Sequence, residues 1–375
     1  MEITDLGVLC NGIKEGKLGL AIAKFEGAIA GVFTSNKIKA APVIVCRENI
    51  SSGYARGLIV NSGNANAFTG EKGLEDAREM CRIAARLLKC SEREIAVAST
   101  GVIGRRLDID WIRKKAPEVY AGLGSSKECA ERFSNAIRTT DKFIKKAYSV
   151  DAKISAVAKG AGMIAPNLAT MLCFIFTAAK FEAGELYEML KRAVKPLNRL
   201  IVDGDTSTND TVLLISLGRE KVERDLFERE LEKVCYSIAK QIARDGEGAT
   251  KVFEVVVKGA KSERDAEIVA KAIARSLLVK TAIFGSDPNW GRIISAIGYS
   301  GAEVDEKITV IFENEEKSVK LVERGFITGK EEEARDLMKK DFRIIVDLHK
   351  GSYEDFSIGC DLSYEYVKIN SEYTT

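Results

Sequence analysis

The stretch Lys159-Gly-Ala-Gly-Met-Ile-Ala-Pro-Asn-Leu-Ala-Thr170, running on into Met171-Leu-Cys-Phe-Ile-Phe176, joins a loop of small residues to an apolar strand. Residues 160–179 carry no charge, and twenty uncharged residues are long enough to cross a membrane. Gly160, Gly162, Pro166 and Asn167 crowd the first half of that stretch, however. Lipid-exposed backbone cannot leave its N–H and C=O groups unpaired in such a turn cluster, so a buried loop and strand are predicted instead. Thr170 stands at the junction. A hydroxyl there can attack the peptide carbonyl before it, and the resulting ester hydrolyses to leave Thr170 as a new amino terminus. Its α-amino group, with a reference pKa of about 7.7–8.0, can then act as the base for its own hydroxyl. The plainer reading is a β-branched residue opening a strand. Pattern alone leaves both readings standing.

Outward from this junction, apolar β-branched runs recur at 18–25, 29–34, 57–61, 95–99, 154–158, 171–179, 211–217 and 252–257. Between them lie segments of helical period. In 74–89, Leu74, Ala77, Met80, Ala84 and Leu87 fall three or four apart, and similar spacing occupies 183–200, 226–244, 264–277 and 330–340. These runs predict an α/β protein whose sheets are covered by helices. Their spacing is too irregular for a simple βαβ repeat. The part beyond about residue 251, with its own strands at 308–312 and 342–348, is expected to form a smaller lobe.

Charge excludes some functions. Lys plus Arg is 57 and Asp plus Glu is 55, which leaves +2 and no general attraction to nucleic acid or anionic membrane. The eight cysteines form no C-x-x-C pair, and His349 is the one histidine, so no zinc site is expected. The amino terminus has no apolar signal core, so the chain is read as cytoplasmic, with its thiols reduced and buried. A histidine-based triad has little to build on, because His349 lies in the strand-end context Val346-Asp-Leu-His349.

Four polar, glycine-rich segments each follow an apolar run: Asn61-Ser-Gly-Asn-Ala-Asn66, Ser99-Thr-Gly-Val-Ile-Gly104, Asp203-Gly-Asp-Thr-Ser-Thr-Asn-Asp210 and Arg244-Asp-Gly-Glu-Gly248. Loops on rigid scaffolds commonly carry function, although these residue types also suit ordinary turns. The third segment, preceded by Leu200-Ile-Val, has the strand plus D-x-D of aspartate-nucleophile phosphatases, with Asp203 as phosphoryl acceptor beside Mg²⁺. Its place after a helix in the middle of the chain is wrong for that fold, and it is carried as the alternative.

Taken together and in order, the string 159–172, residues 61–70 and 99–104, Thr139-Thr-Asp141, residues 203–211 and 244–248, Asp287-Pro-Asn-Trp-Gly-Arg292 and the terminal 366–375 closely resemble the ornithine acetyltransferase (glutamate N-acetyltransferase) family over essentially the whole chain. The resemblance implies an α-β-β-α layered fold and self-cleavage between Ala169 and Thr170. It implies fragments 1–169 and 170–375, assembled as a heterotetramer of two of each. It also implies a ping-pong transfer of acetyl from N2-acetyl-L-ornithine to L-glutamate in arginine biosynthesis, without metal or organic cofactor. Thr170 is then the nucleophile, Thr100 and Gly101 the oxyanion hole, and Thr139, Lys159, Glu247, Asn370 and Thr375 substrate contacts. Some members of the family also take acetyl-coenzyme A as donor, and no motif here decides that point. Two departures stand out. Lys142 follows Asp141 where the family often has Thr, and Ser371-Glu-Tyr-Thr374 replaces a stretch that in many members opens with Ala and ends with Arg.

Overall fold

A computed structural model describes residues 1–165 and 171–372. Ala169, Thr170 and Thr375 lie outside the described residues. The described strands are β1 (Leu9–Glu15), β2 (Leu18–Phe33), β3 (Tyr54–Asn64), β4 (Ile95–Val102), β5 (Lys145–Ser149), β6 (Ile154–Lys159), β7 (Leu172–Ala179), β8 (Leu200–Ile201), β9 (Thr211–Glu220), β10 (Val252–Ala260), β11 (Thr309–Glu313), β12 (Ser318–Glu323), β13 (Phe326–Ile327), β14 (Phe342–Asp347) and β15 (Tyr353–Cys360). The helices are α1 (Ala41–Asn49), α2 (Gly70–Leu88), α3 (Ile109–Ala121), α4 (Lys127–Ala136), α5 (Ala183–Ala193), α6 (Arg224–Arg244), α7 (Glu263–Arg275), α8 (Leu277–Phe284), α9 (Trp290–Tyr299), α10 (Glu331–Leu337) and α11 (Tyr364–Glu372).

The strands make two mixed sheets, and the layered α/β class holds. The first runs β4-β3-β2-β9-β7-β6-β5, with β1 also paired to β2. The second runs β13-β12-β11-β14-β10-β15-β8. Helices α1 to α4 cover the first sheet, and their apolar stripes close a core around Leu20, Ile22, Val60, Val97 and Phe174. A further core lies between that sheet and helices α5 and α6, and α6 also packs against β10 and β15. The second sheet buries its own core, with Val255, Val310 and Ile344, against α7, α9 and α10.

The strand and helix readings hold at their centres and shift at their ends. Runs 18–25 and 29–34 are one strand, β2, whose register slips between Lys24 and Gly27 while pairing continues. That slip is a bulge, which admits turn residues without ending the strand. The helical reading of 183–200 stops at Ala193, because Pro196 lacks the N–H a continuing helix needs and a 3-10 turn follows. The uncharged stretch 160–179 ends in β7, every residue of which is buried in the sheet. Among the described residues no helix is long and apolar enough to cross a membrane. The eight cysteines are free thiols. Seven are buried as expected, and Cys90 is half-buried.

Register sets up the site. Thr100 and Gly101, at the end of β4, lie opposite Ser62 and Gly63 of β3. Lys159, ending β6, lies opposite Leu172, which opens β7, and Leu172 lies opposite Thr211 of β9. Strand ends leave the following backbone free to turn, so these positions meet in loops above a rigid sheet.

Candidate active site

Thr100, Gly101, Thr139, Lys159, Glu247 and Asn370, far apart in sequence, line one cavity of about 160 Å³ together with Asp203, Asp205 and Tyr366. A larger groove of about 690 Å³ along β10 and β14 holds none of the six. It has mixed charge, from Lys240, Arg244 and Arg343 to Glu254 and Asp341.

Lys159 is the centre of the small cavity. Its side chain is 2% exposed, and its Nζ donates to Thr139 Oγ1 at 2.8 Å and to Thr100 Oγ1 at 3.2 Å. Burial pulls the ammonium below its ordinary pKa, and the nearby Asp141 carboxylate partly restores it. A threonine hydroxyl that accepts from an ammonium has its own proton free to donate elsewhere. Beside it, Gly101 has φ +135°, and an added Cβ would sit 2.3 Å from the Gly63 carbonyl carbon. Only glycine fits so close to β3 in that conformation.

Glu247 lines the same cavity. The turn after α6 brings its N–H to Ala161 O at 2.9 Å, and its Oε2 accepts from Asn370 Nδ2 of α11 at 3.0 Å. The carboxylate lies over Gly162, where a Cβ would come within 2.6 Å of it. Asp203 anchors the same loop. Its carboxylate accepts N–H groups from Met163 at 2.6 Å, Ile164 at 2.8 Å and Asp205 at 3.2 Å. Burial raises its pKa to about 6 against these three donors. The phosphatase alternative would need this carboxylate as a nucleophile, whereas here its oxygens hold the loop through backbone N–H groups.

On the other side of residues 166–170, Asp210 is fully buried and its Oδ1 accepts the Met171 N–H at 3.0 Å. Burial raises this carboxyl well above the ordinary range. Asp203 and Asp210, from one loop, therefore hold both flanks of the junction quoted at the outset. Asn209 Nδ2 ties that loop to Ala65 O at 2.6 Å and Ser99 O at 2.8 Å. The 61–66 segment is scaffold: Asn61 Oδ1 accepts from Ser99 Oγ, and Asn64 Nδ2 donates to the carbonyls of Arg105 and Arg106. Asn289, in the 287–292 motif, caps α9 and lines no part of the cavity. His349 meets Thr309 Oγ1 at 2.9 Å in the second sheet, away from the cavity.

Sequence reasoning missed Asp210 and Tyr366 as cavity neighbours, and Asp141, Lys145 and Asp245 as a buried charge cluster. Four of these five lay inside quoted motifs, and for Asp141, Asp210 and Asp245 a charge within an otherwise polar or glycine-rich segment was an available signal. Lys145, in a short strand, offered none.

The ArgJ family model matches residues 5–375. Among proteins with whole-length similarity, the arginine biosynthesis bifunctional protein ArgJ of Archaeoglobus fulgidus is 68% identical over 100% of both chains. The glutamate N-acetyltransferase of Methanosarcina mazei is 50% identical over 98% of this chain and 97% of its own. Among solved structures, the arginine biosynthesis bifunctional protein of Bacillus halodurans superposes with a TM-score of 0.50 at 43% identity. That match covers 53% of this chain and 98% of the other.

Proposed function

The chain belongs to the ArgJ family, and from that premise we propose that it cuts itself before Thr170 and then transfers an acetyl group from N2-acetyl-L-ornithine to L-glutamate in arginine biosynthesis. The observation that carries this reading is the convergence of Lys159, hydrogen-bonded to Thr100 and Thr139, with Glu247 and Asp203 on one small cavity. Both substrates are zwitterions. A buried ammonium with two hydroxyls suits carboxylate and carbonyl oxygens, and a carboxylate wall suits an ammonium.

In the first half-reaction Thr170 Oγ attacks the acetyl carbonyl, and the Thr170 α-amine takes the hydroxyl proton. The Thr100 hydroxyl and the Gly101 N–H receive the oxyanion, a contribution worth most where water is excluded. The α-ammonium returns the proton to the departing ornithine amine, leaving an acetyl ester on Thr170. Glutamate enters the same cavity, attacks that ester and leaves acetylated. Asp210 holds the Met171 amide one residue beyond the nucleophile, which fixes the direction from which the chain approaches. A solved relative whose chain matches just over half of this one, at 98% of its own length, suits a product of a mid-chain cut. After the cut, β1 to β6 and β7 with β9 still share one sheet, so fragments 1–169 and 170–375 stay together, two of each forming the cytoplasmic enzyme. Ala169 ends the first fragment, and Asn370 and Thr375 are further substrate contacts in this reading. Labelled acetyl-coenzyme A in place of acetylornithine decides whether it is a further donor.

The test is an intact mass under denaturing conditions, followed by transfer of labelled acetyl. Two species matching 1–169 and 170–375, together heavier than the whole chain by one water, are expected, with label moving from acetylornithine to glutamate. A Thr170→Ala chain that stays whole yet still transfers acetyl defeats the proposal. Label passing to water alone makes the protein a hydrolase of the same build.

A further inference from the structure

Beneath the cavity lies a group of charges that the acyl-transfer steps do not use. Lys145 of β5, Asp141 and Asp245 have side chains with no solvent exposure. Lys145 Nζ lies 2.7 Å from Asp141 Oδ1 and 2.5 Å from Asp245 Oδ2. Burying a charge without a partner is strongly unfavourable, so these groups exist as a set.

The contacts of Asp141 reach the cavity from three directions. Its Oδ1 also accepts the Gly160 N–H at 2.6 Å, which starts the loop leading to residue 170. Its Oδ2 accepts the Thr139 N–H at 3.1 Å and lies 3.9 Å from Lys159 Nζ. Asp245, at the far end of the set, accepts the Lys142 N–H at 3.0 Å and stands two residues before Glu247. One carboxylate thus touches the backbone of Thr139, the ammonium of Lys159 and, through Lys145 and Asp245, the turn that presents Glu247.

Resting on the reading above, we propose that Asp141 is a positioning residue for acetyl transfer, holding the Lys159 ammonium against the Thr100 and Thr139 hydroxyls. It acts through Lys159 and does not itself meet substrate. The groups facing Lys159 are Asp141 and Lys145, Glu247 after α6, Asp210 before β9 and Lys14 of β1. Burial lowers the lysine. Asp141 is the largest influence raising it, with Glu247 and Asp210 adding to it and Lys145 opposing. Burial alone would raise the Asp141 carboxyl, but Lys159 and Lys145 outweigh it and hold it well below the usual range. Among the groups around Lys159, Asp141 is therefore the one that most favours its charged form.

The experiment is the pH dependence of kcat/KM for the self-cut enzyme, with the cut verified by mass and the fold by thermal unfolding. In Asp141→Asn the alkaline limb is expected to move down by about one pH unit, the scale of one lost opposite charge at this range. In the pair Lys145→Met with Asp245→Asn, a cation and an anion leave together and Asp141 is freed from its competing partner. There the limb is expected to move up. General loosening of the core would shift both variants the same way. An unchanged limb in a folded, cut Asp141→Asn enzyme overturns the proposal, as does a downward shift in the pair. Should Asp141→Asn fail to fold or to cut, the pair decides: an upward limb supports the proposal, and an unchanged or lowered one overturns it. A wild-type enzyme that transfers no acetyl defeats the underlying reading instead.

Discussion

Thr100→Val removes one hydroxyl and almost nothing else. The two side chains have nearly the same shape, and Thr100 is 3% exposed in a well-packed strand end, so the volume of the core is kept. Two effects are expected. Lys159 Nζ loses its 3.2 Å acceptor but keeps the 2.8 Å bond to Thr139 Oγ1, so the buried ammonium is only partly stripped. A fully orphaned polar group costs about 1–3 kcal/mol, and the loss here falls at the low end of that range, about 1 kcal/mol of stability. On the proposed mechanism the oxyanion loses one of two donors, since the Gly101 N–H remains. Loss of one such donor costs about 10²–10³ in kcat, or about 2.7–4 kcal/mol. The assay is steady-state transfer from acetylornithine to glutamate on cut enzyme, beside a Thr100→Ser control that restores the hydroxyl. The expected result is a kcat reduced about a hundredfold or more, with KM changed far less and activity largely regained in the serine variant. A valine variant within a few-fold of wild-type kcat refutes the role of this hydroxyl.

Gly162→Ala places a methyl within 2.6 Å of the Glu247 carboxylate, which is the movable end of a side chain. The fold should survive with little change in Tm, while kcat/KM falls about 10–100-fold as a charge-assisted contact worth about 1.5–3 kcal/mol is lost. Asn370→Ala removes the 3.0 Å bond to Glu247 Oε2 from a helix that buries no side chain. The expected outcome is a rise in KM of about fivefold, equivalent to about 1 kcal/mol, without a change in self-cleavage seen by mass. Asp203 gives a pH prediction. Its carboxyl is raised by burial from 3.8 to about 6, so between those values the folded chain binds more protons than the unfolded one. Stability from this group is therefore greatest below pH 4 and is lost as pH rises through about 6. Denaturant unfolding across that window should show a decline that is smaller in Asp203→Asn, and an identical slope in both proteins counts against the buried carboxyl.

Much of the fold was legible because its signals are local. Leu74, Ala77, Met80 and Ala84 recur at helical spacing, and α2 is amphipathic for that reason alone. The apolar runs at 154–158 and 211–217 were strands because β-branched residues without a polar face must be buried on both sides. The misjudged ends were decided by neighbours. The runs 18–25 and 29–34 were read apart, yet β3 pairs with the chain on both sides of the slip and β9 takes it up from Ala28. Strand β1 escaped notice, since Cys10, Asn11 and Gly12 show no alternation and are buried through contact with α4 and β2.

The site divides in the same way. The sequence by itself determined which groups are available: a threonine placed after a run of small residues, an ammonium at Lys159, a carboxylate at Glu247 and a glycine after Thr100. The covalent order of a motif needs no folding to be read. Only the tertiary structure decided that Lys159 meets the Thr100 and Thr139 hydroxyls, that Glu247 lines the same small cavity, and that Asp203 and Asp210 hold opposite flanks of one junction. It also turned Asp141, Lys145 and Asp245 from three scattered charges into one buried set. The physical reason is that a charge in sequence has no fixed value. Whether it is solvated and inert, or buried and forced to find a partner, depends on the apolar strands that surround it, and those are brought together only by the fold.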